Sequence, residues 1–281
     1  GFWRPFQIAF LLMSLRGICD SSHPDRKVVD LIWFPTGGGK TEAYLGLTAF
    51  TVFFNALSGT ANGGVDVLMR YTLRLLTAQQ FQRAATLFCA MEQLRRWDVV
   101  ALGNRPFRIG LWVGSAATPN KRDDAVEKLK ALQRDSDAEN PYVLLRCPWC
   151  AAKFGPHEAA SSPVQRKAGR GRQSSGGHVY GYARERGPSG DTVVFRCGDP
   201  GCEFGGMPGP GTPPLPIVVI DEDLLDAPPN LLIGTVDKFA MLAWTPAARS
   251  IFGLDDSGRH RGAPPTLVIQ DELHLISGPL G

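Results

Sequence analysis

Val28-Val-Asp-Leu-Ile-Trp-Phe-Pro-Thr-Gly-Gly-Gly-Lys40-Thr41 is the stretch on which the reading of this chain turns. Residues 28–35 form an apolar, β-branched run of strand length, and a helical pattern follows from Glu42 to about Leu57. Between them lie Thr36, Gly37, Gly38 and Gly39, then Lys40 and Thr41. A strand, a glycine loop and a helix start in that order make a cradle for phosphate. The glycines let backbone N–H groups approach the anion closely, and the helix N-terminus adds its positive dipole. Lys40 is placed to reach the β- and γ-phosphates of a nucleotide, and the Thr41 hydroxyl to hold Mg²⁺. One position departs from the full pattern G-x-x-x-x-G-K-[ST], which puts a small residue at 34, where this chain has Phe34.

Outward from this loop, the chain continues to alternate. Val65 to Tyr71 reads as a strand and Leu73 to Trp97 as a long amphipathic helix. Phe107 to Val113 reads as a further strand, with a charged helix near Arg122 to Leu132. Strand signals resume at Ile217 to Ile220, Leu231 to Thr235 and Leu267 to Gln270. Strands alternating with helices predict an α/β fold with a parallel sheet. The pattern breaks over residues 146–212, so the expected organisation is one domain, 1–145 and 213–281, interrupted by a small inserted module at 146–212. Near the N-terminus, Ile8 to Leu15 is too short to span a bilayer and reads as one buried helix.

A phosphate loop of this kind needs a carboxylate at the end of a neighbouring strand to hold Mg²⁺, and a base for the attacking water. Two places qualify: Asp221-Glu222-Asp223 after Pro216-Ile-Val-Val-Ile, and Asp271-Glu272-Leu-His274 after Thr266-Leu-Val-Ile-Gln.

The insert carries Cys147-Pro-Trp-Cys150 and Cys197-Gly-Asp-Pro-Gly-Cys202. Two such knuckles facing each other give a closed, structural Zn²⁺ site ligated by Cys147, Cys150, Cys197 and Cys202. The 46 residues between the pairs exceed the usual zinc-ribbon gap, and a β-hairpin excursion would absorb them. So polar an insert has little to bury and is expected to need the metal to fold. Its Arg166, Lys167, Arg170, Arg172, Arg184 and Arg186, with Tyr180 and Tyr182 nearby, read equally as a basic arm for nucleic acid or as a solvated loop. His157 and His178 are spare ligands, and Cys19 and Cys89 read as buried, inert thiols.

The 281 residues carry a net charge of +3, compatible with nucleic acid without arguing for it. Paired cysteines without a secretory signal favour metal over disulfides and a reducing cytoplasm, with no membrane association.

In this order the motifs resemble a superfamily 2 helicase of the Asp-Glu-x-His kind, which implies a RecA-like P-loop lobe with a zinc-ribbon-like insert. Arg4-Pro5-Phe6-Gln7 resembles the upstream motif in which a glutamine, here Gln7, reads adenine. Met69 to Gln80 resembles the element that runs along the nucleic-acid backbone. Its Arg70, Thr72, Arg74, Thr77 and Gln79 are side-chain types that bond phosphate and sugar without reading sequence. Leu231 to Ala240 resembles the element preceding the acidic box, bringing in Thr235 and Lys238. That order assigns Asp271 to Mg²⁺ and Glu272 to the water, and leaves Asp221 and Glu222 as solvated acids. The wording of 33–46, 69–84 and 270–280 is similar to the helicase subunit of the DISARM anti-phage system, the DrmA-like family. The resemblance implies ATP, Mg²⁺ and DNA as ligands, and partner defence subunits including a methyltransferase. A duplex-DNA translocase that does not unwind and a nucleotide-gated, zinc-bearing DNA-binding assembly module are the competing readings. With no second lobe after His274, this chain alone is expected to bind ATP and hydrolyse it poorly.

Overall fold

The computed structural model describes residues 2–33, 38–60, 63–72, 74–135, 137–156, 179–205 and 213–273, without the side chains of 74–78. In chain order its elements are α1 (Pro5–Cys19), α2 (Lys40–Leu57), β1 (Val67–Tyr71), α3 (Arg74–Trp97), α4 (Val99–Leu102), β2 (Ile109–Trp112) and α5 (Arg122–Arg134). They continue with β3 (Gly155–Pro156), β4 (Val179–Gly187), β5 (Gly190–Arg196), β6 (Ile217–Val218), α6 (Asp221–Asp226), β7 (Leu231–Thr235), α7 (Val236–Ala240) and β8 (Leu267–Gln270).

Five strands form one sheet in the order β6-β2-β7-β1-β8, and every pairing is parallel. Parallel strands are buried on both faces, so alternate side chains enter two cores. Val67, Met69 and Tyr71 of β1, with Leu231 and Ile233 of β7, face the larger core, against Phe81, Phe88 and Met91 of α3. Leu68, Leu232 and Trp112 face a smaller core closed by Leu224 of α6, Phe239 of α7 and Ile251. The chain is thus an α/β protein built on a parallel sheet, as the alternation predicts.

α5 illustrates how such a helix is specified. Ala125, Val126, Leu129 and Leu132 form its buried stripe, while Asp123 and Asp124 in the first turn and Arg134 in the last complement its dipole.

Three expectations need correction. Residues 28–33 join no strand among the described residues, and Val29 and Trp33 are 92% and 94% exposed. A β-branched run supplies propensity, but a strand also needs a partner for its backbone, and none of the described strands lies alongside. Residues 34–35 lie outside the described residues. The helix expected over Ile8 to Leu15 exists as part of α1 but lies on the surface: Ile8, Leu12 and Met13 are exposed, and so is Cys19. Its apolar residues are spread around the helix, so only part of them can face α2, where Phe10 meets Tyr44 edge-on at 6.2 Å.

The third concerns the insert. β4 and β5 pair as an antiparallel hairpin, and Val179, Tyr182, Val193 and Phe195 belong to the same apolar cluster as the main sheet. The Tyr182 ring packs at a tilt of 37° against Tyr142, centroids 4.5 Å apart, and its hydroxyl donates to the Leu144 carbonyl. The hairpin therefore has a good deal to bury, and Tyr182 is a core residue unavailable to nucleic acid. Arg184 is paired with Asp191; Arg166, Lys167, Arg170, Arg172, His157 and His178 lie outside the described residues. No helix among the described residues is long and apolar enough to cross a membrane.

Candidate functional site

A cavity of about 690 Å³ opens beside the C-terminal ends of β1 and β8, where parallel sheets present their ligands. It gathers residues from the two ends of the sequence: Gln7, Lys40, Thr41, Asp271 and Glu272 all line it. The glycine loop reaches α2 through Gly39, whose φ of 92° is left-handed, and a side chain there would meet Gln7 Nε2 at 2.7 Å. Gln7 is buried, donates to the Gly39 carbonyl at 2.7 Å and accepts from the Arg4 amide at 2.8 Å. Arg4 donates to the Gly38 carbonyl at 2.8 Å, so the first turn of α1 clamps the loop. Thr36, Gly37 and His274 lie outside the described residues.

The carboxylates sit directly after β8. Asp271 Oδ1 accepts from the Glu272 amide at 3.0 Å, and Glu272 holds a left-handed φ of 50°. A non-glycine residue pays on the order of 1 kcal/mol for that conformation, and such residues concentrate at functional sites. The field is negative: burial, then Asp271 and Glu272, push the Tyr44 hydroxyl up to about 12, and burial with Asp271 raises Tyr71 further. A cation is what such a corner attracts.

The other acidic segment is elsewhere. Asp221 is bound to Lys238 at 2.6 Å, and burial raises its carboxyl above the usual range although Lys238 opposes the shift. Asp223 and Asp226 both pair with Arg122, and Glu222 accepts from the Arg122 amide at 2.8 Å. These acids start helix α6 and are partnered, which corrects the expectation of solvated loop acids.

The residues expected to touch nucleic acid divide. Arg70 lies in β1 just before the strand ends at Tyr71, and Thr72 follows it; the Arg70 guanidinium lies 5.4 Å from the Phe239 ring centre, and Arg70 Nε and Thr72 Oγ1 have no hydrogen-bond partner among the described residues. Gln79 is exposed. Arg74 and Thr77 stand in the first turns of α3, with their side chains outside the described residues. Thr235 is buried, and Lys238, 15% exposed, is engaged by Asp221 and lies 5.9 Å from the centre of the Trp112 ring. Neither offers a solvent-facing donor.

Sequence reasoning missed Trp3, Glu42, Tyr71, Gln80 and Arg83, which also line the cavity. Trp3 lies so close to α2 that a Cβ built at Gly46 would stand 2.6 Å from its ring. The mid-helix glycine was the available signal, since glycine there is otherwise unfavourable.

The four knuckle cysteines converge, with all Sγ atoms within 4.8 Å of one another. Cys150–Cys197 is 3.3 Å and Cys147–Cys202 4.0 Å. Four sulfurs at Zn–S bond length on a tetrahedron are about 3.8 Å apart, so the set fits a zinc ion. Burial pushes the Cys147, Cys197 and Cys202 thiols up, Cys202 to about 12, whereas Cys150 is lowered: burial opposes its ionisation, and the Ala152 amide and the neighbouring thiols outweigh it. Were all four ionised, a divalent cation among them would offset their mutual repulsion. The first knuckle closes through Ala151 N–H to the Cys147 carbonyl at 2.9 Å, with Ala151 at a left-handed φ of 64°. Ala151→Gly should therefore stabilise the protein by about 1 kcal/mol, read as a higher urea midpoint. An unchanged or lower midpoint would refute this account of the turn.

Fold and site together define an α/β protein with a loop-and-carboxylate cavity at one end of a parallel sheet and a tetrathiol cluster beside it. Over 99% of its length the chain is similar to the DISARM protein DrmA of Bacillus paralicheniformis (strain ATCC 9945a / NCIMB 11709 / CD-2), with 35% identity across a 321-residue alignment. The likeness supports a DrmA-like assignment, and the chain spans 26% of that relative's length. No family model matches the sequence.

Proposed function

We propose that this chain is a RecA-like ATP-binding lobe of a DNA helicase or translocase acting in anti-phage defence. The observation that carries the reading is the convergence of Lys40 and Thr41 with Asp271 and Glu272 around one cavity, across more than two hundred residues of sequence. The likeness to a DISARM protein supports the defence setting.

On this reading the Gly38–Gly39 backbone and the α2 N-terminus hold the phosphates, with Lys40 against the terminal ones. Mg²⁺, when bound, neutralises phosphate charge. Thr41 and Asp271 are the residues to hold it, and Glu272 orients the attacking water and accepts its proton. Gln7, fixed by Gly39 and Arg4, faces the base, and Trp3 gives that end an apolar wall. Arg70, Thr72, Arg74, Thr77 and Gln79 lie at the β1–α3 junction, where nucleotide state and a DNA backbone would meet. The tetrathiol cluster is a closed structural zinc site. The partners on this reading are DNA and the other subunits of the defence system, a methyltransferase included.

The test is ATP hydrolysis by the intact protein, with and without single-stranded DNA, beside Lys40→Ala and Glu272→Gln. DNA-stimulated turnover is expected, with each substitution lowering it by about a hundred-fold or more. If Glu272→Gln turns over normally while Glu222→Gln does not, the acidic site has been wrongly chosen. ATP bound but never turned over would move the reading to a nucleotide-gated assembly module.

A further inference from the structure

Besides Lys40, two cations line the cavity, Arg4 and Arg83. Arg4 is committed to the loop carbonyl of Gly38. Arg83 is held differently. Its guanidinium pairs with Glu42, and the two side chains are 49% and 44% exposed. An exposed pair of this kind contributes little to stability, so its position on the cavity wall is the more telling fact. Glu42 follows Thr41 in the first turn of α2, and Arg83 stands on α3 one turn beyond Gln80. Gln80 also lines the cavity, with a buried Oε1 that has no hydrogen-bond partner among the described residues. The Glu42 carboxylate that holds Arg83 stands beside the glycine loop, its Oε2 3.4 Å from a Cβ built at Gly39.

We propose that Arg83 is a triphosphate-sensing residue: its guanidinium leaves Glu42 for the terminal phosphate of a bound nucleoside triphosphate and couples that phosphate to α3. The inference rests on the nucleotide reading of the cavity. The exchange is favourable because a terminal phosphate carries more charge than one carboxylate and accepts two parallel N–H bonds from the planar guanidinium. A diphosphate, lacking that group, leaves Arg83 on Glu42. α3 gives the exchange its reach. Its first turns carry Arg74 and Thr77. Further along, Thr86 donates to the Pro148 carbonyl at 3.1 Å, and the Arg96 guanidinium lies 4.7 Å from the centre of the Phe204 ring, beside the cysteine cluster. Arg83 is thus the point at which one rigid helix registers which nucleotide is bound.

The experiment is an equilibrium titration of the intact protein with Mg-AMP-PNP and with Mg-ADP. Arg83→Ala is expected to weaken AMP-PNP by about ten-fold or more and ADP by less than about two-fold. Arg83→Lys should restore part of the loss, and Glu42→Gln should tighten AMP-PNP alone. Lys40→Ala is the control and should weaken both. If Lys40→Ala changes neither affinity, the nucleotide reading falls and the proposal with it. If Lys40→Ala acts while Arg83→Ala weakens both nucleotides equally, or neither, Arg83 does not sense the terminal phosphate and only this proposal is overturned.

Discussion

Replacing Cys202 by serine is expected to empty the tetrathiol cluster and to cost about 3 kcal/mol or more of stability. A structural zinc ion's binding energy is folding energy, so losing one of four ligands forfeits much of it. The effect extends beyond the knuckles. Cys147, Cys197 and Cys202 share one apolar cluster with Cys89 and Phe88 of α3 and Phe204, and Arg96 of α3 lies over the Phe204 ring. Loosening the cluster therefore uncovers the C-terminal half of α3. The check is zinc content by atomic emission together with a urea melt, for Cys202→Ser beside Cys19→Ala. Cys19 is exposed and outside the cluster, so its variant should keep both metal and midpoint. A Cys202→Ser protein with full zinc and an unshifted melt would refute the metal assignment. The hairpin's own packing sets a bound on the loss: with Tyr182 and Phe195 buried against Tyr142, metal-free protein should remain partly folded, unlike a free-standing zinc finger.

Glu92→Ala is the second large effect, expected to cost about 3–5 kcal/mol. The Glu92 side chain is 3% exposed and accepts four hydrogen bonds: two from Arg95 at 2.8 Å, one from Arg96 at 3.1 Å and one from the Phe107 amide at 2.9 Å. Arg95, itself 8% exposed, also ties to the Gly103 carbonyl. Removing the carboxylate leaves a buried guanidinium with one acceptor and an orphaned amide at the entry to β2. The loss is the desolvation of groups left unpaired, not the worth of the ion pair. Replacing the acid and Arg95 together by apolar residues should recover much of it. A Glu92→Ala protein that unfolds within about 1 kcal/mol of the parent would show that water reaches this site.

Much of the scaffold was legible from local pattern. The runs at Val67–Tyr71, Ile109–Trp112, Leu231–Thr235 and Leu267–Gln270, separated in turn by α3, by α5 with the insert, and by α7, admit little other than a parallel sheet, because crossovers of that length return the chain in the same direction. The choice of Asp271 over Asp221 came from motif order. In the fold it corresponds to a geometric difference: Asp271 lines the cavity with Lys40, whereas Asp221 is engaged by Lys238. Both acidic segments follow parallel strands, and what separates them is place in the sheet: β8 lies beside β1 at one edge and β6 lies at the other. In the insert a β-hairpin was expected only as a way to span the gap between the knuckles, and its strands and its burial could not be placed. Val179 to Arg196 interrupts its apolar residues with Gly181, Arg184 and Glu185, and only Tyr142 and Phe154, distant in sequence, turn Tyr182 into a core residue.

By itself, then, the sequence determined most strands of the main sheet and the helices between them, and which four cysteines belong together. These follow from periodicity, chirality and ligand chemistry, which act between near neighbours along the chain. The tertiary structure alone decided that residues 28–33 lie unpaired among the described strands, that Lys238 is engaged by a buried acid, and that Arg83 and Trp3 face the cavity. Each of those depends on what lies across a space from the residue. A carboxylate 2.6 Å away redirects a lysine's charge, and no pattern in the lysine's own segment records its presence.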